Sequence, residues 1–155
     1  MQAESGRLDR QILQFQVPGL ESVWLAVSLP EALAVTPLTN VIRVPFVPRQ
    51  IVGISEFQGR LVTVIDAAAA VANEPTQPVG LTSSWQHLIT RLVVNNTIEY
   101  VAWPVLRGAQ PYRVPRFAPQ AEIPTCLAPA MIIAPILLNG RCVCLLDSQA
   151  LAGGG

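Results

Sequence analysis

The chain has 155 residues, about one domain, which is enough to enclose a core of its own. Ten Lys and Arg balance ten Asp and Glu, so the basic excess of a nucleic-acid or anionic-membrane binder is absent. Charged residues make up 13% of the chain, against a usual share of about 25%, so part of the surface is expected to be apolar and covered by a partner.

Residues 1–11, "MQAESGRLDRQ", are polar, expected to fray, and lack the apolar core of a signal peptide. No apolar run approaches the roughly 20 residues of a membrane helix. The expectation is a soluble, cytoplasmic protein without direct membrane insertion. Residues 12–17, "ILQFQV", alternate as a strand does, "PGLE" turns the chain, and residues 23–27, "VWLAV", read as the returning strand. In "SLPEALAV", Ser28 and Glu31 have capping-box spacing and Pro30 stands where a first helical turn tolerates it. The spacing predicts a short helix from Ser28 that ends before Pro37, with Ser28 as its cap.

Pro45 and Pro48 make "TNVIRVPFVPRQ" an extended edge or a loop. Strands follow at residues 51–57 and 61–65, and Asp66 can cap the alanine-rich turn after them. "ANEPTQPVG", residues 72–80, combines prolines and turn residues with no apolar period, and marks a boundary. "WQHLITRLVV" and "IEYVAW" read as strands joined around "NNT". The proline-rich residues 106–129 are expected to form a long irregular excursion. Residues 131–138 and 142–146 close the chain as strands around Asn139-Gly140, the best short hairpin signal present, and Asp147 caps a final turn.

One passage is written twice. Residues 48–71 align with residues 129–152 at a constant offset of 81, matching at seven of 24 positions that include Gly59/Gly140, Arg60/Arg141 and Asp66/Asp147. Two ordinary hairpins can share such a spelling, because short strand patterns are degenerate. The alternative is two similar small β units, each of about five strands closed into a barrel that hides its edges. Few helical periods occur, so the fold is expected to be mostly β.

No catalytic constellation emerges. Paired aspartates in duplicated β halves suggest a proton-sharing dyad. Such sites need Asp followed by Thr or Ser and Gly, whereas Asp66 and Asp147 open helical turns as Asp-Ala-Ala and Asp-Ser-Gln. The chain has no G-x-S-x-G elbow and no phosphate-cradling glycine loop. Cys126, Cys142 and Cys144 lack C-x-x-C spacing, and His87 is the only histidine, so reduced, strand-packed thiols are expected rather than a metal site.

"VWLAVSLPEALAV…VIRVPFVPRQIVGISEFQGRLVTVIDAAAAV" resembles the first half of CheW-like domains, the adaptor modules of bacterial chemosensory systems. "WQHLITRLVVNNTIEYVAWPV" and "GRCVCLLDSQALA" resemble the second half, so the similarity covers about residues 12–152. It implies one domain of two five-stranded SH3-like barrels side by side, a first over residues 12–71 and a second over 84–152, with a linker at 72–83 and flexible ends at 1–11 and 153–155. It also implies a non-enzymatic adaptor without cofactor. Such an adaptor couples the cytoplasmic tip of a chemoreceptor to the regulatory domain of a CheA-type histidine kinase, binds other CheW-like domains, and is recruited to receptor clusters. By position in the family pattern, Leu33, Val35, Gly53, Glu56, Gln58 and Arg60 are the expected partner-contacting residues. The chain departs from that pattern at its first hairpin. Typical members read Asn-Leu-Arg-Gly there, with the Arg paired to a Glu on the short helix, whereas this chain reads Glu56-Phe57-Gln58-Gly59. The departure fits chemotaxis, phototaxis or pilus motility equally. The runner-up reading is a small β-barrel binding module or scaffold unrelated to chemosensory arrays.

Overall fold

The alternating start of the chain forms an antiparallel pair, β1 (Arg10–Gln16) and β2 (Trp24–Ser28), in a computed structural model that describes residues 10–38, 40–76, 85–115, 118–148 and 150. The expected frayed ends therefore fall outside the described residues, except that β1 already begins at Arg10. The remaining strands are β3 (Ala32–Pro37), β4 (Ile42–Arg43), β5 (Ile51–Phe57), β6 (Arg60–Ile65), β7 (Gln86–Val94), β8 (Thr97–Val105), β9 (Arg107–Val114), β10 (Ile132–Leu138) and β11 (Arg141–Leu146). A five-residue helix, α1 (Ala67–Val71), follows β6. The fold is mostly β, with few and short helical segments.

The strands form two mixed sheets, β10-β11-β2-β1-β9 and β3-β7-β8-β6-β5-β4. Neither closes into a barrel: β10 and β9 remain the edges of the first, and β3 and β4 the edges of the second. The sheets also do not follow the expected division at residues 72–83. Each half sends its third strand and its hairpin to the other half's first two strands: β3 pairs with β7 and β6 with β8, while β9 pairs with β1 and β11 with β2. The start of the expected linker is pinned, because Ala72 bridges Leu127 and Asn73 N–H donates to the Cys126 carbonyl at 2.8 Å. Residues 77–84 lie outside the described residues.

Two sequence expectations about local structure are overturned. The helix expected after Ser28 is a single 3-10 turn, Leu29–Glu31, and residues 32–37 are strand β3. Ala and Leu favour a helix, but pairing along β7 outweighs that weak preference. Ser28 makes no side-chain cap; the Glu31 carboxylate, its expected capping-box partner, instead accepts from the Ser148 hydroxyl at 2.8 Å. The expected irregular excursion begins with eight residues of β9, where Pro111 is tolerated because β9 is an edge strand.

The repeat is visible residue by residue. Gly53↔Val64, Ile54↔Thr63, Ser55↔Val62, Glu56↔Leu61 and Phe57↔Arg60 in β5–β6 match Ala134↔Leu145, Pro135↔Cys144, Ile136↔Val143, Leu137↔Cys142 and Leu138↔Arg141 in β10–β11 at the offset of 81. Both hairpins bulge at the same step, after Ile51 and after Ile132. Both turns hold positive φ at both central residues, 52° and 78° at Gln58-Gly59 and 50° and 78° at Asn139-Gly140, the hairpin geometry that follows strand twist. Asp66 Oδ1 accepts from Ala69 N–H and Asp147 Oδ1 from Ala150 N–H, each at 3.2 Å. The strand orders β5-β6-β8-β7-β3 and β10-β11-β2-β1-β9 are the same pattern.

The largest core cluster joins the sheets. Phe15, Leu25 and Val27 of the first pack with Leu88, Trp103 and Ile65 of the second and with Ala68 and Val71 of α1. Phe15 and Trp103 meet edge to face, their centroids 6.0 Å apart. The indole N–H of Trp103 donates to the Thr90 hydroxyl at 3.0 Å, which donates onward to the Val101 carbonyl. Smaller clusters belong to each sheet, one around Ala26, Val143 and Leu145, the other around Val62, Val64 and Ala102.

Candidate functional site

The residues expected to contact a partner do not form one patch. Leu33 and Val35 lie on edge strand β3, 39% and 40% exposed, with β7, β8 and β6 between them and β5. Glu56, Gln58 and Arg60 are exposed together at the β5–β6 turn, where Glu56 Oε2 accepts from Gly59 N–H at 2.9 Å. Arg60 stacks over the Tyr100 ring at 5.2 Å. Its counterpart Arg141 stacks over Trp24 at 4.0 Å, again on the parallel neighbouring strand. Gly53 is buried, and its missing side chain makes room for this chain's own β4. A Cβ there would collide with the Ile42 carbonyl oxygen and lie 2.9 Å from the carbonyl carbon. A bulky residue at 53 therefore breaks the fold before it can test a partner.

Sequence reasoning missed a surface on the same sheet. Ile42, Ile54, Thr63 and Val101 stand in one register row across β4, β5, β6 and β8. Ile42 is 64% exposed, and Leu61, two residues before Thr63 on the same face of β6, is 72% exposed. The next residue on that face, Ile65, is buried in the shared core. An open apolar face thus runs continuously into the core between the sheets. The signal was present in "LVTVI": a strand apolar on both faces needs cover on both.

In the first sheet the equivalent face has cover. Cys142, the counterpart of Leu61, is half-buried; its thiol donates to the Glu122 carbonyl at 3.7 Å, and it packs on the same cluster as Ile123 and Leu127. The main chain around Gln120 also lines the β10 edge, with Ala121 N–H donating to the Pro135 carbonyl and Leu137 N–H to that of Pro119, both at 2.9 Å. Phe46 is the second outlier. Two residues before the repeated passage begins, it is fully exposed at a positive φ of 60°. Arg43, Val44, Pro45 and Arg49, on either side of it in sequence, line a cavity of about 440 Å³ with Val52 and Asp66.

Thiol and imidazole chemistry adds no reactive centre. Cys142 and Cys144 bring their sulfurs to 3.9 Å, and burial, aided by the neighbouring Cys142, pushes the Cys144 thiol up to about 12. Among the described residues, no group of three His, Cys, Asp or Glu side chains is placed to hold a metal. Also among them, no helix is long and apolar enough to cross a membrane.

Two repeats that exchange their third strands and hairpins and share a core define a duplicated β fold. No protein-family model matches the chain, and no curated protein matches it in sequence. The fold is similar to that of the scaffolding protein TtCheW from Thermoanaerobacter tengcongensis, with a TM-score of 0.68 over 93% of this chain and 88% of that one at 13% identity. The chain has a divergent CheW-like fold.

Proposed function

We propose that the chain is a non-enzymatic CheW-like adaptor that couples a methyl-accepting-type receptor to a CheA-type histidine kinase in control of motility, working in the cytoplasm at receptor clusters. The observation that carries this reading is the likeness to a scaffolding protein over 93% of the chain. The open apolar face at Ile42, Ile54 and Leu61 supports it, because the chain covers the twin of that face with its own residues and leaves this one free. A receptor tip is an apolar-seamed coiled coil, and such a face suits one of its helices.

Leu33 and Val35 form a second, separate contact at the β3 edge, and Glu56, Gln58 and Arg60 supply polar anchors at the hairpin. Gly53 acts indirectly, by letting β4 present Ile42. Phe46, fully exposed, offers a separate aromatic anchor suited to the kinase regulatory domain. Binding through the apolar face rests on burial, so it is only weakly salt-sensitive.

Leu61→Glu tests the reading. The side chain is exposed, so stability should change by no more than about 0.5 kcal/mol. Binding of a receptor cytoplasmic fragment from the same genome, followed by size-exclusion chromatography, should weaken at least tenfold. Undiminished binding by the variant would remove the receptor from this face.

A further inference from the structure

The duplication supplies an internal control for each buried position. Gln14, Ala26 and Leu145 form one cross-strand row in the first sheet; Ile89, Ala102 and Val64 form its counterpart in the second. Leu145 and Val64 are related by the offset of 81, and both rows are buried. At the position where the second unit packs a fully buried isoleucine, the first carries a glutamine that is 1% exposed. The fold therefore does not require an amide there. Gln14 Nε2 is buried and has no hydrogen-bond partner, a state that costs stability unless something occupies the space beside it.

A pocket of about 80 Å³ lies against it, lined by Gln14, Tyr112, Leu138, Asn139 and Arg141. Water takes about 30 Å³ of liquid volume, so the space suits two to three waters or one small anion. Each of the four polar side chains can donate: two amides, a phenol and a guanidinium. No carboxylate lines the pocket. Arg141 lies on the Trp24 ring at 4.0 Å, which fixes the guanidinium plane and leaves its in-plane N–H groups free to donate.

We propose that this pocket binds a small free oxyanion, of acetate or orthophosphate size, held by the Gln14 amide and the Arg141 guanidinium, with Tyr112 and Asn139 at its rim. The site is separate from the apolar face of the second sheet and does not rest on the adaptor reading. A bound oxyanion satisfies the orphaned donor and neutralises the cation of the pocket by charge-assisted hydrogen bonds. Occupancy would then tie the β10–β11 turn to β1 and β9.

The test is thermal unfolding of the full chain in sodium acetate, sodium phosphate and sodium chloride at equal ionic strength and pH 7.5. One oxyanion series should raise Tm saturably, by roughly 3–6 °C at ten times its Kd. Which series saturates distinguishes a carboxylate from a phosphate source. General salting stabilisation does not saturate and does not depend on Gln14. Gln14→Leu, which copies the apolar choice of the second unit, should be no less stable without ligand and lose the saturable rise, as should Arg141→Gln. The Gln14 side-chain amide resonances should move with the same Kd as the Tm. Rises that match chloride, or a saturable rise that survives in Gln14→Leu, would overturn the proposal and assign the pocket to water.

Discussion

His87 is buried on β7 with neither ring nitrogen hydrogen-bonded, opposite Thr36 on β3 and Pro104 on β8, neither of which titrates. Burial holds its imidazole below the usual range. The unfolded chain therefore takes up this proton first on acidification, near the ordinary value of about 6.5. The stability it permits is full above that pH and is lost as pH falls below it, by up to about 1.4 kcal/mol per unit. Urea midpoints should drop between pH 7.5 and 5.5, and His87→Leu should flatten the slope whatever its effect at pH 7.5. Gly53→Ala should cost about 1–3 kcal/mol or more, read by urea unfolding, because the added methyl meets the β4 backbone rather than solvent. With a thiol-alkylating reagent, exposed Cys126 should label in the native state and Cys144 only on unfolding, as mass spectrometry of the labelled chain would show. The residue scale is also where sequence reading is weakest. Strand alternation places Gln14 and Gln16 on one face of β1 with Ile12, and both are buried, because that face meets a cluster built by Val114, Ile136 and Val143, all distant in sequence.

At the scale of elements, the β5–β6 and β10–β11 hairpins were legible because their turns need positive φ and their ends need a cap, so Gly-Arg and Asp recur at fixed steps. Asp66→Ala and Asp147→Ala should each cost roughly 0.5–2 kcal/mol in urea unfolding, by loss of that cap. The third strand of each half was not legible. β3 is spelled with helix-favouring Ala and Leu, and β9 contains Pro111, because each is an edge strand that is held by a partner distant in sequence. The helix expected at β3 also misplaced Leu33 and Val35, which two strands, β7 and β8, separate from the hairpin. Ile42, Ile54 and Leu61 escaped notice for a related reason: whether an apolar strand face is open depends on which distant segment covers it. Only the comparison with covered Cys142 reveals that this one is open.

At the scale of the whole molecule, exchange of the third strands and hairpins makes the two sheets one cooperative unit, since each combines strands from both halves. The shared cluster around Phe15 and Trp103 adds to this. Truncating either ring to Ala should cost about 3–5 kcal/mol and lower a single unfolding transition rather than split it, as calorimetry would show. The open apolar face at Ile42 and Leu61 and the exposed Phe46 give the proposed adaptor two separate places at which to hold partners. The direct measurement is co-sedimentation of the full chain with a receptor cytoplasmic fragment and a CheA-type regulatory domain from the same genome, alone and together. The account expects the receptor fragment and the kinase domain to co-sediment only when this chain is present, with Leu61→Glu releasing the receptor fragment and Phe46→Ala the kinase domain. Failure of the chain to bind either partner, or a bridge that forms equally well without it, would contradict the adaptor reading.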